Sequence, residues 1–220
     1  MKYNSFKYLF PPRPEHKMAA AELPRYDLTT EYVAMPKYNG SACMVFTNGT
    51  ELHIYNRHKQ HFANMPRNID FLSLAKSSKW FVYAGEFLNK GQKGETGTKE
   101  KDKFVIWDLL VWDGVYLVGK TLEERLELLE QIYPCQRAIV GPDGAIEIYN
   151  HLCCTEFQGV YKAPVYTNGF IDLYKELIET ELYEGIVLKK LKSRLDFGFQ
   201  EKNNHDWQIK CRKENKLYNF

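Results

Sequence analysis

The stretch YVAMPKYNGSACMVFTNGTELHIYNR, residues 32–57, sets the first limit on what this chain can fold into. Short apolar and aromatic runs are broken by Asn-Gly twice, at 39–40 and 48–49. Runs of this length and composition form strands, and Asn-Gly is a strong turn signal. The expected local structure is a hairpin with strands over 31–37, 40–47 and 51–57. One residue needs a separate explanation. Lys37 follows Pro36 and immediately precedes a turn, so it is either a solvated turn lysine or a reactive group whose partners lie elsewhere.

The rest of the chain continues the strand theme. KWFVYAGEFL and KFVIWDLLVWDG are rich in β-branched and aromatic residues and read as strands, and so do YEGIVLKKL and HDWQIKCRK near the end. Helices are expected in EHKMAAAEL, in IDFLSLAKSS, in TLEERLELLEQI, where Thr121 and Glu124 form a capping box, and in GFIDLYKELIETEL. PPRP at 11–14 reads as a stiff entry segment. NKGQKGETGTKEKD reads as a mobile polar loop, and residues 134–168 are poorly patterned. The expected class is α+β, with a mixed or antiparallel sheet core and helices packed outside. The expected organisation is an entry segment over 1–30 and one domain over 31–220.

Charge excludes some function classes. The net charge is +2, so no global basic field marks a polyanion partner. The balance is uneven, however: residues 184–220 hold nine Lys/Arg against five Asp/Glu, and the other 183 residues hold 21 against 23. A basic end suits a polyanion, although a solvated face would look the same. Cys43, Cys135, Cys153, Cys154 and Cys211 include no CxxC pair and read as reduced thiols of a cytoplasmic protein. His53, His58 and His61 cluster at a strand end without a matching Cys or His pair, so they are not read as metal ligands. The sequence shows no signal peptide and no membrane span.

Several strands carry a polar residue where an apolar one would be cheaper to bury. Glu86 follows Gly85, Glu184 and Lys189 stand five apart, and Lys210 and Arg212 share one strand face. Taken in order, Lys-x-Asn-Gly, Gly-Glu, an aromatic-Asp strand, Glu-Gly-Ile-Val-Leu-Lys and Ile-Lys-Cys-Arg resemble the covalent nucleotidyltransferase superfamily. That superfamily includes ATP-dependent polynucleotide ligases and mRNA capping guanylyltransferases. The resemblance runs from about Tyr32 to Lys213. It implies an ATP-grasp-like nucleotidyltransferase domain, with antiparallel and mixed sheets flanked by helices.

The resemblance also implies roles. Lys37 would be the nucleophile that takes AMP from ATP as a phosphoramidate, with Asn39 beside it. A lysine is protonated at neutral pH, and neighbouring cations disfavour that charge. Lys189 and Lys210 would supply those cations and neutralise phosphate, and Arg212 would add a fork for phosphate oxygens. Glu86 would bond the ribose hydroxyls, and Arg57 would reach ribose or incoming phosphate. Trp107 rather than Phe104 would stack on the purine. Glu184 would help hold Mg²⁺ or Mn²⁺, directly or through water.

Within the superfamily, Ser41 after Gly40, the lack of arginine between Gly40 and Arg57, and IKCRK most resemble phage-type RNA ligases. The expected partner is therefore nucleic acid with 5′-phosphate and 3′-hydroxyl ends, RNA favoured. The alternatives are a minimal DNA ligase, a capping guanylyltransferase or a non-catalytic nucleic-acid-binding module. No C-terminal OB domain is expected after Lys213, and a protein partner could supply one. Asn39 departs from the commoner KxDG.

Overall fold

The computed structural model describes residues 1, 18–62, 65–95, 97–140, 146–195 and 208–213. In chain order, the strands begin with β1 (Tyr32–Tyr38), β2 (Ser41–Thr47), β3 (Leu52–Asn56) and β4 (Phe81–Leu88). Short β5 (Gln92–Lys93) and β6 (Lys99–Glu100) precede the long β7 (Lys103–Trp112) and β8 (Val115–Tyr116). Next come β9 (Ala138–Val140), β10 (Ile146–Ile148), β11 (Cys153–Cys154) and β12 (Val160–Lys162), then β13 (Tyr183–Lys190) and β14 (Gln208–Arg212). Among the described residues three α-helices intervene: α1 (Leu23–Asp27), α2 (Leu122–Ile132) and α3 (Phe170–Ile178).

Two sheets make the body. The larger has the order β11-β12-β7-β4-β2-β3, with β8 added beside β7; the smaller is β1-β13-β14. The β12–β7 pair is parallel and the other pairs of both sheets are antiparallel, which gives the expected mixed α+β architecture. The hairpin reading of residues 31–47 is corrected. β1 pairs with β13, about 150 residues away, and not with β2. The Asn39-Gly40 segment therefore carries the chain from the small sheet to the large one. Only the second Asn-Gly closes a hairpin, between β2 and β3, where Gly49 takes φ +85°.

Aromatic residues fill one core under the large sheet, including Phe46, Phe81, Tyr83 and Phe104, closed by Leu129 and Tyr133 around α2. A second core joins the two sheets and α3 through Met35, Val105, Tyr183, Ile186, Phe170 and Leu177. β7 serves both cores, since successive side chains point to opposite faces. The capping box of α2 forms as read, with the Glu124 N–H donating to Thr121 Oγ1 at 3.2 Å and the Thr121 N–H to Glu124 Oε2 at 2.7 Å.

Other readings are corrected too. IDFLSLAKSS holds only a 3₁₀ turn at Leu72–Leu74, because the Leu74 carbonyl is taken by the Tyr83 and Tyr133 hydroxyls instead of a following helical turn. Of the expected helix at 15–23, residues 15–17 lie outside the described residues, Ala20–Glu22 form a 3₁₀ turn, and α1 itself begins at Leu23 with Pro24 in its first turn. PPRP lies outside the described residues. The loop after β4 is anchored: Glu95 accepts from the backbone N–H groups of Asn150 (2.7 Å) and His151 (3.1 Å) and from the Tyr183 hydroxyl. Cys135 and Cys153 form a disulfide with a Cα–Cα distance of 4.8 Å, so the reading of all five cysteines as reduced thiols fails at this pair. No helix among the described residues is long and apolar enough to cross a membrane.

Candidate active site

A cleft of about 600 Å³ opens between the two sheets, and Lys37 stands in its wall. Every residue expected at the site except Asn39 lines this cleft: Lys37, Arg57, Glu86, Trp107, Glu184, Lys189, Lys210 and Arg212. Asn39 sits at its rim, one residue before the lining Gly40. Chain topology explains the convergence. β1, β13 and β14 form one wall, β2, β4 and β7 the other, and the 39–40 crossover joins them at the end.

Glu184 reaches the cleft through an irregularity. In the β1–β13 ladder Lys37 faces Gly185 and Tyr38 faces Tyr183, so Glu184 is the extra residue of a bulge. A bulge re-aims its side chain. Without it, Glu184 would share the buried face of Ile186 and Leu188, whereas Val187 and Lys189 face the cleft. Gly185 makes the bulge possible: it takes φ +134°, and a Cβ there would lie 2.1 Å from the Cys211 carbonyl oxygen. The result is a direct ion pair from Lys37 Nζ to Glu184 Oε2, with Arg212 Nε 3.6 Å from the same oxygen. The group in contact with Lys37 is therefore a carboxylate, not the cations that the sequence suggested.

Glu86 approaches from the other wall. Burial raises its carboxyl to about 7, with Lys37 pulling against that rise and Glu184 adding to it. The Gly40 N–H hydrogen bond also steadies the charged form. Gly40 has to be small, because a Cβ there would lie 2.5 Å from the Phe87 carbonyl oxygen and 2.8 Å from Glu86 Cγ. The glycine is thus required by close approach of β4 to the crossover.

Trp107 is half-buried and lines the cleft, whereas Phe104 is fully buried in the core under the large sheet. The Lys189 ammonium lies 4.5 Å from the Trp107 ring centroid and 3.3 Å from the Trp107 carbonyl oxygen. Burial lowers Lys189 to about 8, with Asp108 opposing that fall and Arg125 and Lys210 reinforcing it. Arg57, in the turn after β3, donates from Nε to His58 Nε2 at 3.1 Å at the cleft's edge.

Sequence reading missed Lys90, His58 and Gln208, which also line the cleft. Gln208 was legible, since it alternates with Lys210 and Arg212 on one strand face. Lys90 follows a strand end and carried no pattern. Of the terminal basic residues, Lys192 pairs with Glu123, Lys190 lies 3.9 Å from Glu31 and Arg194 donates to the Gly119 carbonyl. Lys192 and Arg194 fasten the segment after β13 to α2 and its approach, whereas Lys190 reaches from the end of β13 to the segment before β1.

No protein-family model matches the sequence, and no curated protein matches it either. Solved structures match in fold. A mycobacterial DNA ligase D complexed with ATP and MES aligns with a TM-score of 0.61 at 15% identity, covering 98% of this chain and 62% of that one. The ligase domain of M. tuberculosis LigD aligns at 0.59 and 15% identity, covering 96% and 62%. Chlorella virus DNA ligase-adenylate aligns at 0.50 and 16% identity, covering 93% and 69%. The chain has the fold of ATP-dependent DNA ligase nucleotidyltransferase domains, and it spans 62% of the length of both mycobacterial chains.

Proposed function

We propose that the chain is the nucleotidyltransferase domain of an ATP-dependent polynucleotide ligase with Lys37 as the covalent site. The observation that carries this reading is the Lys37–Glu184 contact inside a cation-rich cleft of a fold shared with ligase domains. Lys37 Nζ, after giving a proton to solvent and losing its bond to Glu184, attacks the α-phosphorus of ATP. An N–P bond forms, the bond from that phosphorus to the bridging oxygen breaks, and pyrophosphate leaves with the electron pair. A 5′-phosphate oxygen then displaces the lysine amine from AMP, and a 3′-hydroxyl finally displaces AMP. Lys210 and Arg212 would balance phosphate charge, while Glu86 would accept from the ribose hydroxyls.

Magnesium fits this donor set. Among the described residues no group of three His, Cys, Asp or Glu is arranged to hold a metal. Glu184, with Glu86 nearby, would offer the one or two carboxylates that Mg²⁺ takes while keeping its waters and binding substrate phosphates. When bound, the ion would neutralise developing phosphate charge.

Trp107 would stack on the adenine. Trp107→Ala is expected to weaken ATP binding by about 1–3 kcal/mol, the usual loss on removing a base-stacking aromatic. Trp107→Phe should bind nearly as wild type. Titration of each folded variant with ATP checks this, and unchanged affinity in Trp107→Ala would place the adenine elsewhere.

We infer an RNA 5′-phosphate end as the favoured substrate, on the strength of Ser41 and the arginine-free run from Gly40 to Arg57. The second reading, a DNA ligase, is favoured by the fold neighbours. Sealing of nicks with ribose or deoxyribose at the positions on the 3′-hydroxyl side separates the two. The ribose nick is expected to seal faster. Equal or faster sealing of the all-DNA nick would make the DNA reading the better one.

A further inference from the structure

Cleft residues fall in rungs set by strand register. Lys189 and Gln208 face each other across β13 and β14, then Val187 and Lys210, then Gly185 and Arg212, the last beside Lys37. Trp107 lies at the first rung, over which Lys189 is folded. Strands advance about 3.3 Å per residue, so four residues of β13 separate the first rung from the third by about 13 Å. A nucleotide whose base sits at Trp107 and whose phosphorus meets Lys37 therefore directs further phosphates past the third rung. Asn39 and Lys90 stand there.

Lys90 Nζ donates to Asn39 Oδ1 at 3.0 Å. The amide orientation is fixed by its neighbours: Asn39 Nδ2 donates to the Glu181 carbonyl at 3.4 Å, and the Asn39 N–H to the Leu182 carbonyl at 2.8 Å. The oxygen is thus left facing Lys90. The Lys90 backbone is steadied as well, because Asn89 Nδ2 donates to Ser41 Oγ at 3.1 Å and Gly91 turns the chain with φ +64°. Lys90 is exposed and hydrogen-bonded to a neutral amide, and its charge acts on the Glu86 carboxyl, which it helps to hold in the charged form. Six cationic side chains line the cleft (Lys37, Arg57, Lys90, Lys189, Lys210 and Arg212) against the two carboxylates Glu86 and Glu184. Glu184 is already shared between Lys37 and Arg212.

Resting on the ligase reading, we propose that Lys90 is a phosphate-binding residue at the far end of the cleft, held there by Asn39. Its ligand is a phosphate beyond the one attacked by Lys37, which can come from the pyrophosphate portion of ATP or from the 5′-phosphate of a polynucleotide. The amide at position 39 matters because a carboxylate would pair with Lys90 and screen it from either ligand.

Binding to the unmodified full chain tests this without requiring catalysis. Inorganic pyrophosphate and an oligonucleotide with a 5′-phosphate are titrated separately into wild type, Lys90→Met, Lys90→Arg and Asn39→Asp. Lys90→Met is expected to lose about tenfold affinity for at least one of them, and Asn39→Asp to lose affinity for the same one, while Lys90→Arg stays close to wild type. The arm that responds identifies the source of the phosphate. The same oligonucleotide with a 5′-hydroxyl should not distinguish wild type from Lys90→Met if the lost contact is the terminal phosphate. Equal binding of both phosphates by wild type and Lys90→Met would overturn the proposal. Failure of wild type to form lysyl-AMP would sink the ligase reading and leave this binding comparison standing.

Discussion

Incubated with ATP and a divalent cation, the Lys37→Ala protein is expected to gain no AMP, where wild type gains one per chain. Intact-mass measurement after denaturation reads the difference directly, since a phosphoramidate is covalent. The effect would be total because, on the proposed reading, the bond to phosphorus is made by the atom that the substitution removes. Among the described cleft lysines, Lys210 is the nearest along the rungs, opposite Val187 and one rung from Lys37. Lys189 is buried against Trp107 at the other end of the cleft, and Lys90 is held at the rim by Asn39. Folding should survive, because Lys37 is at the end of β1 and Glu184 keeps Arg212 within 3.6 Å. Full labelling of Lys37→Ala would sink the assignment.

What was legible in the sequence was residue type at strand spacing. Lys210 and Arg212 two apart, Glu86 after Gly85 and Lys189 within an apolar run all announced side chains that a simple core would not keep. What was hidden was pairing. Asn39-Gly40 has the local chemistry of a hairpin turn, and local chemistry says nothing about a partner strand 150 residues away. Pro36 held a clue. Proline lacks the ladder N–H and belongs on edge strands, and β1 is an edge of the small sheet. The bulge at Glu184 was also hidden, because strict alternation puts that residue on the buried face. Similarly, the apolar spacing of IDFLSLAKSS matches a helix, yet Ile69, Phe71 and Leu74 reach the core without one. There the tertiary contacts of the Leu74 carbonyl outweighed local periodicity.

The second large effect is expected away from the reacting atoms, at Asp108. This residue entered the sequence reading only as part of the aromatic-Asp strand, and its partner Arg125 is on α2. Arg125 Nε donates to Asp108 Oδ1 at 2.8 Å and Nη2 to Oδ2 at 2.9 Å, a two-pronged pair with both side chains 4% exposed. Arg125 Nη1 also donates to the Lys120 carbonyl at 2.9 Å, and the Leu109 N–H to Asp108 Oδ1 at 2.8 Å. The pair locks α2 onto β7 directly behind Trp107. Arg125→Met leaves a carboxylate buried without its counter-charge, and removing one member of a buried pair costs about 3–5 kcal/mol. Equilibrium denaturation in urea is expected to show that loss in Arg125→Met. The double variant Asp108→Leu, Arg125→Met should recover most of it, because two apolar side chains leave no orphaned charge. A loss under about 1 kcal/mol in the single variant would mean that water reaches Asp108 and the pair is not a lock. ATP binding supplies a second readout. Asp108 and Arg125 act on the Lys189 ammonium with opposite sign. An uncompensated Asp108 would draw Lys189 away from the Trp107 ring, so the single variant should bind ATP more weakly than the double one at equal folded fraction.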